Sequence, residues 1–216
     1  MKLCLKYCTP GLALLLFIIP CATHAGEEAS DVLKRLEKKY NSIHDVKVSF
    51  QQHVHFGVTE AEQSFSGTLA MKKGNQYRIE LEDQTIVTDG KSVWSYVRNN
   101  NQVIIDKYRE DPNSFSPDKV LVNVPAHFIA TLLGKERLGH EETTILKLNP
   151  KDPRSNIQWM KIWVDNDESL MRQVQVLDVS DNLTTYIIDR IAMNTGIEES
   201  QFHFEPPQAV EIIDLR

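Results

Sequence analysis

From Val46 onward, apolar residues fall on every second position. Val46, Val48, Phe50, Val54 and Phe56 alternate with Lys47, Ser49, Gln51, His53 and His55. Successive side chains of an extended chain point to opposite faces, so this is the period of a half-buried β-strand. The pattern continues through Phe65, Leu69 and Met71, with Gly67 interrupting the row. It returns in Tyr77, Ile79 and Leu81, set against Arg78, Glu80 and Glu82, and runs on through 86–87, 93–97 and 103–107. Short connections such as Asp89-Gly90 and Asn99-Asn100-Asn101 leave room only for antiparallel neighbours. Strands resume at 144–148, 157–164, 170–177, 183–192 and 201–204, with turn clusters at 165–167 and 180–182. That makes about eleven strands, and an antiparallel sheet of this length curls toward a barrel.

Two stretches leave this rhythm. In residues 29–43, Val32, Leu33, Leu36, Tyr40 and Ile43 recur at helical spacing, opposite Lys34, Arg35, Lys38 and Lys39. Ser30 is the expected N-cap. Midway, Ser116-Pro117 reads as a helix start carrying Val120, Leu121 and Val124. Pro125 then opens a second short apolar helix over 126–133, crowded with Phe128, Ile129, Leu132 and Leu133 and stopped by Gly134. No Pro/Gly/Ser-rich linker divides the chain, so one domain is expected.

The first residues stand apart from that fold. Lys2 and Lys6, the apolar run 11–19 (GLALLLFII) and the small residues of Thr23-His24-Ala25 have the layout of a secretory signal peptide over 1–25. The run is too short for an ordinary membrane span. All three cysteines, Cys4, Cys8 and Cys21, precede the expected cut, so residues 26–216 would fold without a disulfide. Loss of Lys2 and Lys6 takes the formal charge from −6 to about −8. An acidic chain without a basic run has no general affinity for nucleic acid.

The familiar catalytic spacings, Gly-x-Ser-x-Gly, His-Glu-x-x-His, the P-loop and the dinucleotide glycine fingerprint, are absent from the sequence. His53 and His55 could project from one strand face as metal ligands do, with His44 and His203 approaching in space. Exposed histidines on a solvated strand are the commoner outcome. Carboxylates such as Glu141-Glu142 and Asp165/Asp167 sit in turns. Neither an enzyme nor a bound cofactor or metal is expected.

Residues 93–97 sharpen the question of what the sheet covers. Val93, Ser95 and Val97 face one way and Trp94 and Tyr96 the other, with apolar bulk on both. The 157–164 strand is apolar on both faces too. A curved sheet with an apolar interior and short apolar helices can enclose a pocket for a greasy ligand. The same residues can equally fill an ordinary core, and periodicity leaves both open.

Several segments together resemble the periplasmic outer-membrane lipoprotein carrier family, the Lol-type carriers. They are Phe50-x-Gln52; Gly67-Thr68-Leu69-Ala70-Met71-Lys72-Lys73 leading to Tyr77-Arg78-Ile79-Glu80; the hairpin Thr88-Asp89-Gly90-Lys91-Ser92-Val93-Trp94-Ser95-Tyr96; and the C-terminal Phe202-His203-Phe204-Glu205-Pro206-Pro207 followed by Val210-Glu211-Ile212-Ile213-Asp214. The resemblance implies a single unclosed antiparallel β-barrel with a helical lid over a hydrophobic cavity. It implies a periplasmic chaperone that takes lipoproteins by their acyl chains from an inner-membrane ABC-type release complex. Delivery is to the outer membrane, through an acceptor lipoprotein where one exists. A carrier or sensor of another lipid or glycolipid would use the same cavity. The expected cavity wall is Val48, Phe50, Leu69, Met71, Tyr77, Ile79, Leu81 and Trp94, and the expected lid carries Leu121, Phe128, Leu132 and Leu133. Where the family has a lid-latching arginine this chain has Lys73, which lacks the planar fork of donors. A monomer is expected.

Overall fold

A computed structural model describes residues 28–109 and 124–216. Twelve strands form one sheet in the order β12-β6-β5-β4-β3-β2-β1-β11-β10-β9-β8-β7. The first half is a meander: β1 (Asp45–His55), β2 (Glu62–Lys72), β3 (Gln76–Leu81), β4 (Gln84–Asp89), β5 (Ser92–Val97) and β6 (Gln102–Lys107). The second half is another: β7 (Phe128–Leu138), β8 (Glu141–Pro150), β9 (Ile157–Asp165), β10 (Met171–Asp178) and β11 (Leu183–Met193). The two join where β11 pairs antiparallel with β1, from Val46 opposite Met193 to His55 opposite Leu183. The final strand, β12 (Glu211–Asp214), is the exception in direction and lies parallel to β6. The edges β7 and β12 do not meet, so the sheet is unclosed.

Helix α1 (Ala29–Asn41) packs Val32, Leu33, Leu36 and Tyr40 onto one face of this sheet. It starts ahead of the expected cap. Ser30 lies inside the helix, and the extended residue Glu28 precedes it, its carbonyl accepting from the amides of Asp31 and Val32. Around α1 gathers the main core, with Leu146, Leu148, Met160, Ile162 and Val164 from β8 and β9 and Val46, Val48 and Phe50 from β1.

The opposite face of β4, β5 and β6 carries a second core of Val87, Trp94, Val103, Ile105 and Phe204. It is covered by the stretch after β11. That stretch is pinned at its start by Asp45, whose carboxylate accepts from Thr195 N at 2.7 Å, Thr195 Oγ1 at 3.0 Å and Gly196 N at 3.0 Å. Residues 201–204, expected as a strand, instead contribute to a one-turn 3-10 helix at Glu199–Phe202 that drives Phe202 into the interior.

The second expected apolar helix is also corrected. Residues 124–127 form a single helical turn, α2 (Val124–His127), and the chain then extends as β7. Phe128, Ala130 and Leu132 stand opposite Pro150, Leu148 and Leu146 of β8. A short apolar run fits a helix and a buried strand equally well, and here the partner strand decides. Gly134 is not a helix stop. It follows a bulge after Leu132, with φ at +145°, a conformation that favours glycine. The expected helix around Val120 and Leu121 lies outside the described residues.

Candidate functional site

The described residues do not fill the inner face. Between α1 and the middle of the sheet lies a cavity of about 340 Å³. Val48, Phe50 and Gln52 of β1 form its floor with Leu69 of β2. Tyr77, Ile79 and Leu81 of β3, with Gln84 and Ile86 of β4, make one wall. Met171, Val174, Tyr186, Ile188 and Ile191 from β10 and β11 make the other, and Tyr40 closes over it from α1. Period-two alternation explains the assembly, because every second residue of neighbouring strands faces the same hollow.

Gly67 shapes the floor. A Cβ there would stand 2.6 Å from the Phe50 ring and 2.7 Å from Leu81, so those side chains lean across a backbone that has none. Phe50 also meets Tyr186 edge-on, ring centres 5.9 Å apart.

The lining is dry in its chemistry. Among the described residues it includes no charged side chain, and its polar groups are the amides of Gln52 and Gln84 and the three tyrosine hydroxyls. Burial pushes the phenols of Tyr40 and Tyr186 up to about 12, so both remain neutral in any physiological medium. The arrangement can bind an apolar chain. Among the described residues the lining includes no Ser, Cys, His, Asp, Glu or Lys.

Six expected wall residues, Val48, Phe50, Leu69, Tyr77, Ile79 and Leu81, face this hollow. Met71 is buried in the adjoining core instead. Trp94 is corrected: it belongs to the second core on the opposite face, edge-on to His203 at 5.4 Å. Phe128 is buried against the main core, while Leu132 and Leu133 are 37 % and 49 % exposed on edge strand β7 and belong to no lid helix. Leu121 lies outside the described residues. Lys73 reaches the helix: its Nζ donates to the carbonyl of Asn41, at the last turn of α1, at 2.8 Å. His53 shares a hydrogen bond with Ser64, and His55 lies beside Glu60 and Glu62.

Sequence reasoning missed Tyr40 and the wall from β10 and β11. Val174, Tyr186 and Ile188 do alternate in the sequence. Nothing local says that β11 returns to pair with β1.

A family model described as outer membrane lipoprotein carrier protein LolA matches residues 41–205. The chain belongs to the LolA family. The match takes in every strand but β12 and leaves out nearly all of α1. An outer-membrane lipoprotein carrier protein of Histophilus somni (strain 2336) is 26 % identical over 191 residues, covering 87 % of this chain and 89 % of that one. Another, from Alcanivorax borkumensis, is 23 % identical over 205 residues, covering 94 % and 95 %. The crystal structure of an uncharacterized conserved protein from Thermus thermophilus superposes with a TM-score of 0.58 at 14 % identity, over 86 % of this chain and 98 % of that one, and shares the fold. Among the described residues of this LolA-family chain, no helix is long and apolar enough to cross a membrane.

Proposed function

We propose that this LolA-family chain is a periplasmic, non-enzymatic carrier that holds the acyl chains of lipoproteins in the inner-face cavity on their way to the outer membrane. The observation that carries the reading is the hollow itself, lined mainly by apolar side chains and lying where a well-folded sheet would otherwise be packed solid. Donor and acceptor would be an inner-membrane ABC-type release complex and an outer-membrane lipoprotein.

Each methylene removed from water contributes about 0.8 kcal/mol, so a dozen of them give about 10 kcal/mol. Release then requires a cover whose opening opposes binding. Among the described residues the element placed to act as a cover is α1, which puts Tyr40 over the cavity and is tied to the β2–β3 turn through Lys73.

The test is mass spectrometry of lipids co-purified from native periplasm, with displacement of a fluorescent fatty probe by synthetic lipopeptide. Triacylated lipoprotein, or saturable displacement, is expected. A different lipid class in the cavity would make the chain a carrier or sensor of that lipid. An Ile79→Asp variant places a charge in the wall and should weaken probe binding at least about tenfold, since an unpaired carboxylate resists burial. Undiminished probe binding by that variant would remove the cavity from the reading.

A further inference from the structure

The outer faces of β8 and β9 hold a pair of lysines that the fold does not balance. Lys147 and Lys161 stand directly opposite each other in the ladder. Like charges so placed repel and weaken the pairing. Both ammonium groups lie near one indole, with Lys161 Nζ 5.0 Å and Lys147 Nζ 5.8 Å from the Trp159 ring centre. Neither lysine has a carboxylate within ion-pair distance among the described residues. Acids on the same and adjoining segments make other contacts: Glu136 accepts from Trp163 Nε1 at 2.7 Å, Asp181 from Gln158 Nε2 at 2.7 Å, and Asp152 pairs with Arg154 at 2.9 Å.

Exposed apolar side chains adjoin the pair. Ile129 is 59 % exposed on β7, two residues from the Thr131 that faces Lys147. Val179 is 58 % exposed just past β10, whose Leu177 lies opposite Trp159.

We propose that this face docks on an anionic phospholipid bilayer, Lys147 and Lys161 meeting headgroup phosphates and Trp159 lying at headgroup depth. Lysine is depleted at the centre of protein interfaces where tryptophan is enriched, whereas membrane interfaces use both, with aliphatic tips reaching deeper. The rest of the chain is acidic. Contact with an anionic surface therefore depends on this local pair and weakens with salt. The surface lies on the opposite side of the sheet from the cavity, so the inference stands apart from the carrier reading.

The test is co-sedimentation of residues 26–216 with vesicles of phosphatidylglycerol and phosphatidylethanolamine, against phosphatidylcholine alone. Binding to the anionic vesicles, reduced by salt, is expected. The double variant Lys147→Glu, Lys161→Glu should lower it about tenfold or more, with thermal midpoint and fatty-probe uptake unchanged. Brominated lipid should quench tryptophan emission in the parent and not in Trp159→Phe. Equal binding to phosphatidylcholine, or full binding by the double variant, overturns the proposal. So does preference for soluble polyglutamate over the vesicles, which would make the partner an acidic polypeptide.

Discussion

The two faces of the sheet are built from the same alternation and end differently. Across β4, β5 and β6 the outer side is sealed by the chain's own C-terminal stretch, which brings His203 and Phe204 down onto the cluster that holds Trp94. Across β1, β3 and β11 the inner side is left hollow, with a helix over it. The outer cover is anchored by a buried carboxylate holding several amides; the inner one is held by the core packing of Val32, Leu33 and Leu36, with an exposed lysine on one carbonyl at its helix end. Apolar character alone therefore does not separate a core from a binding site. Whether the covering segment fills the space beneath it does.

The largest expected effect breaks the filled side. Trp94→Ala should cost about 3–5 kcal/mol in urea unfolding, the range for a large aromatic removed from a packed core. Fatty-probe uptake by the folded fraction should be unchanged. A matching loss of probe affinity would mean that the two faces are one energetic unit.

Next comes the outer anchor. Asp45→Ala should cost about 1–2 kcal/mol by leaving the amides of Thr195, Gly196 and the buried Ile197 without their acceptor. Burial pushes the Asp45 carboxyl upward, but the hydrogen bonds from Thr195, Gly196 and Ile197 outweigh it and hold the group below the usual carboxylate value. A group depressed in the folded state stabilises at pH above its unfolded value and loses that contribution as pH falls through its folded value. The gap between parent and variant should therefore be full at neutral pH and shrink in acid below about pH 4. A gap that widens in acid would reverse the assignment.

The smallest effect sharpens the hollow side. Lys73→Met should change global stability by less than about 1 kcal/mol, as for other exposed caps at a helix C-terminus. It should, however, speed hydrogen exchange in the last turn of α1 and raise the off-rate of a bound fatty probe. Unaltered exchange there would leave Lys73 without a part in holding the cover.

Much of this was readable in the residues. The strands from Val46 to Lys107 follow from alternation and tight turns, and α1 from its 3.6-residue stripe. The face of Trp94 was not readable, because both sides of its strand are apolar and the choice is made by aromatics far downstream. Residues 128–133 misled for a related reason. Their run is too short and too uniformly apolar to carry a period, and pairing with β8 made them a strand. The cavity was half legible. Its β1 to β3 wall came with the family resemblance, while the β10–β11 wall depends on a long-range pairing that no local pattern announces.

That same pairing sets a timetable for folding. Strand β1 leaves the ribosome early, yet one of its two neighbours, β11, is among the last to follow. Joining them closes a loop nearly as long as the domain, which is slow and entropically costly. Until that seam zips, the hollow has only one wall. A partly emerged chain can fold its first meander but encloses no cavity, so the hollow arrives all at once, at the end.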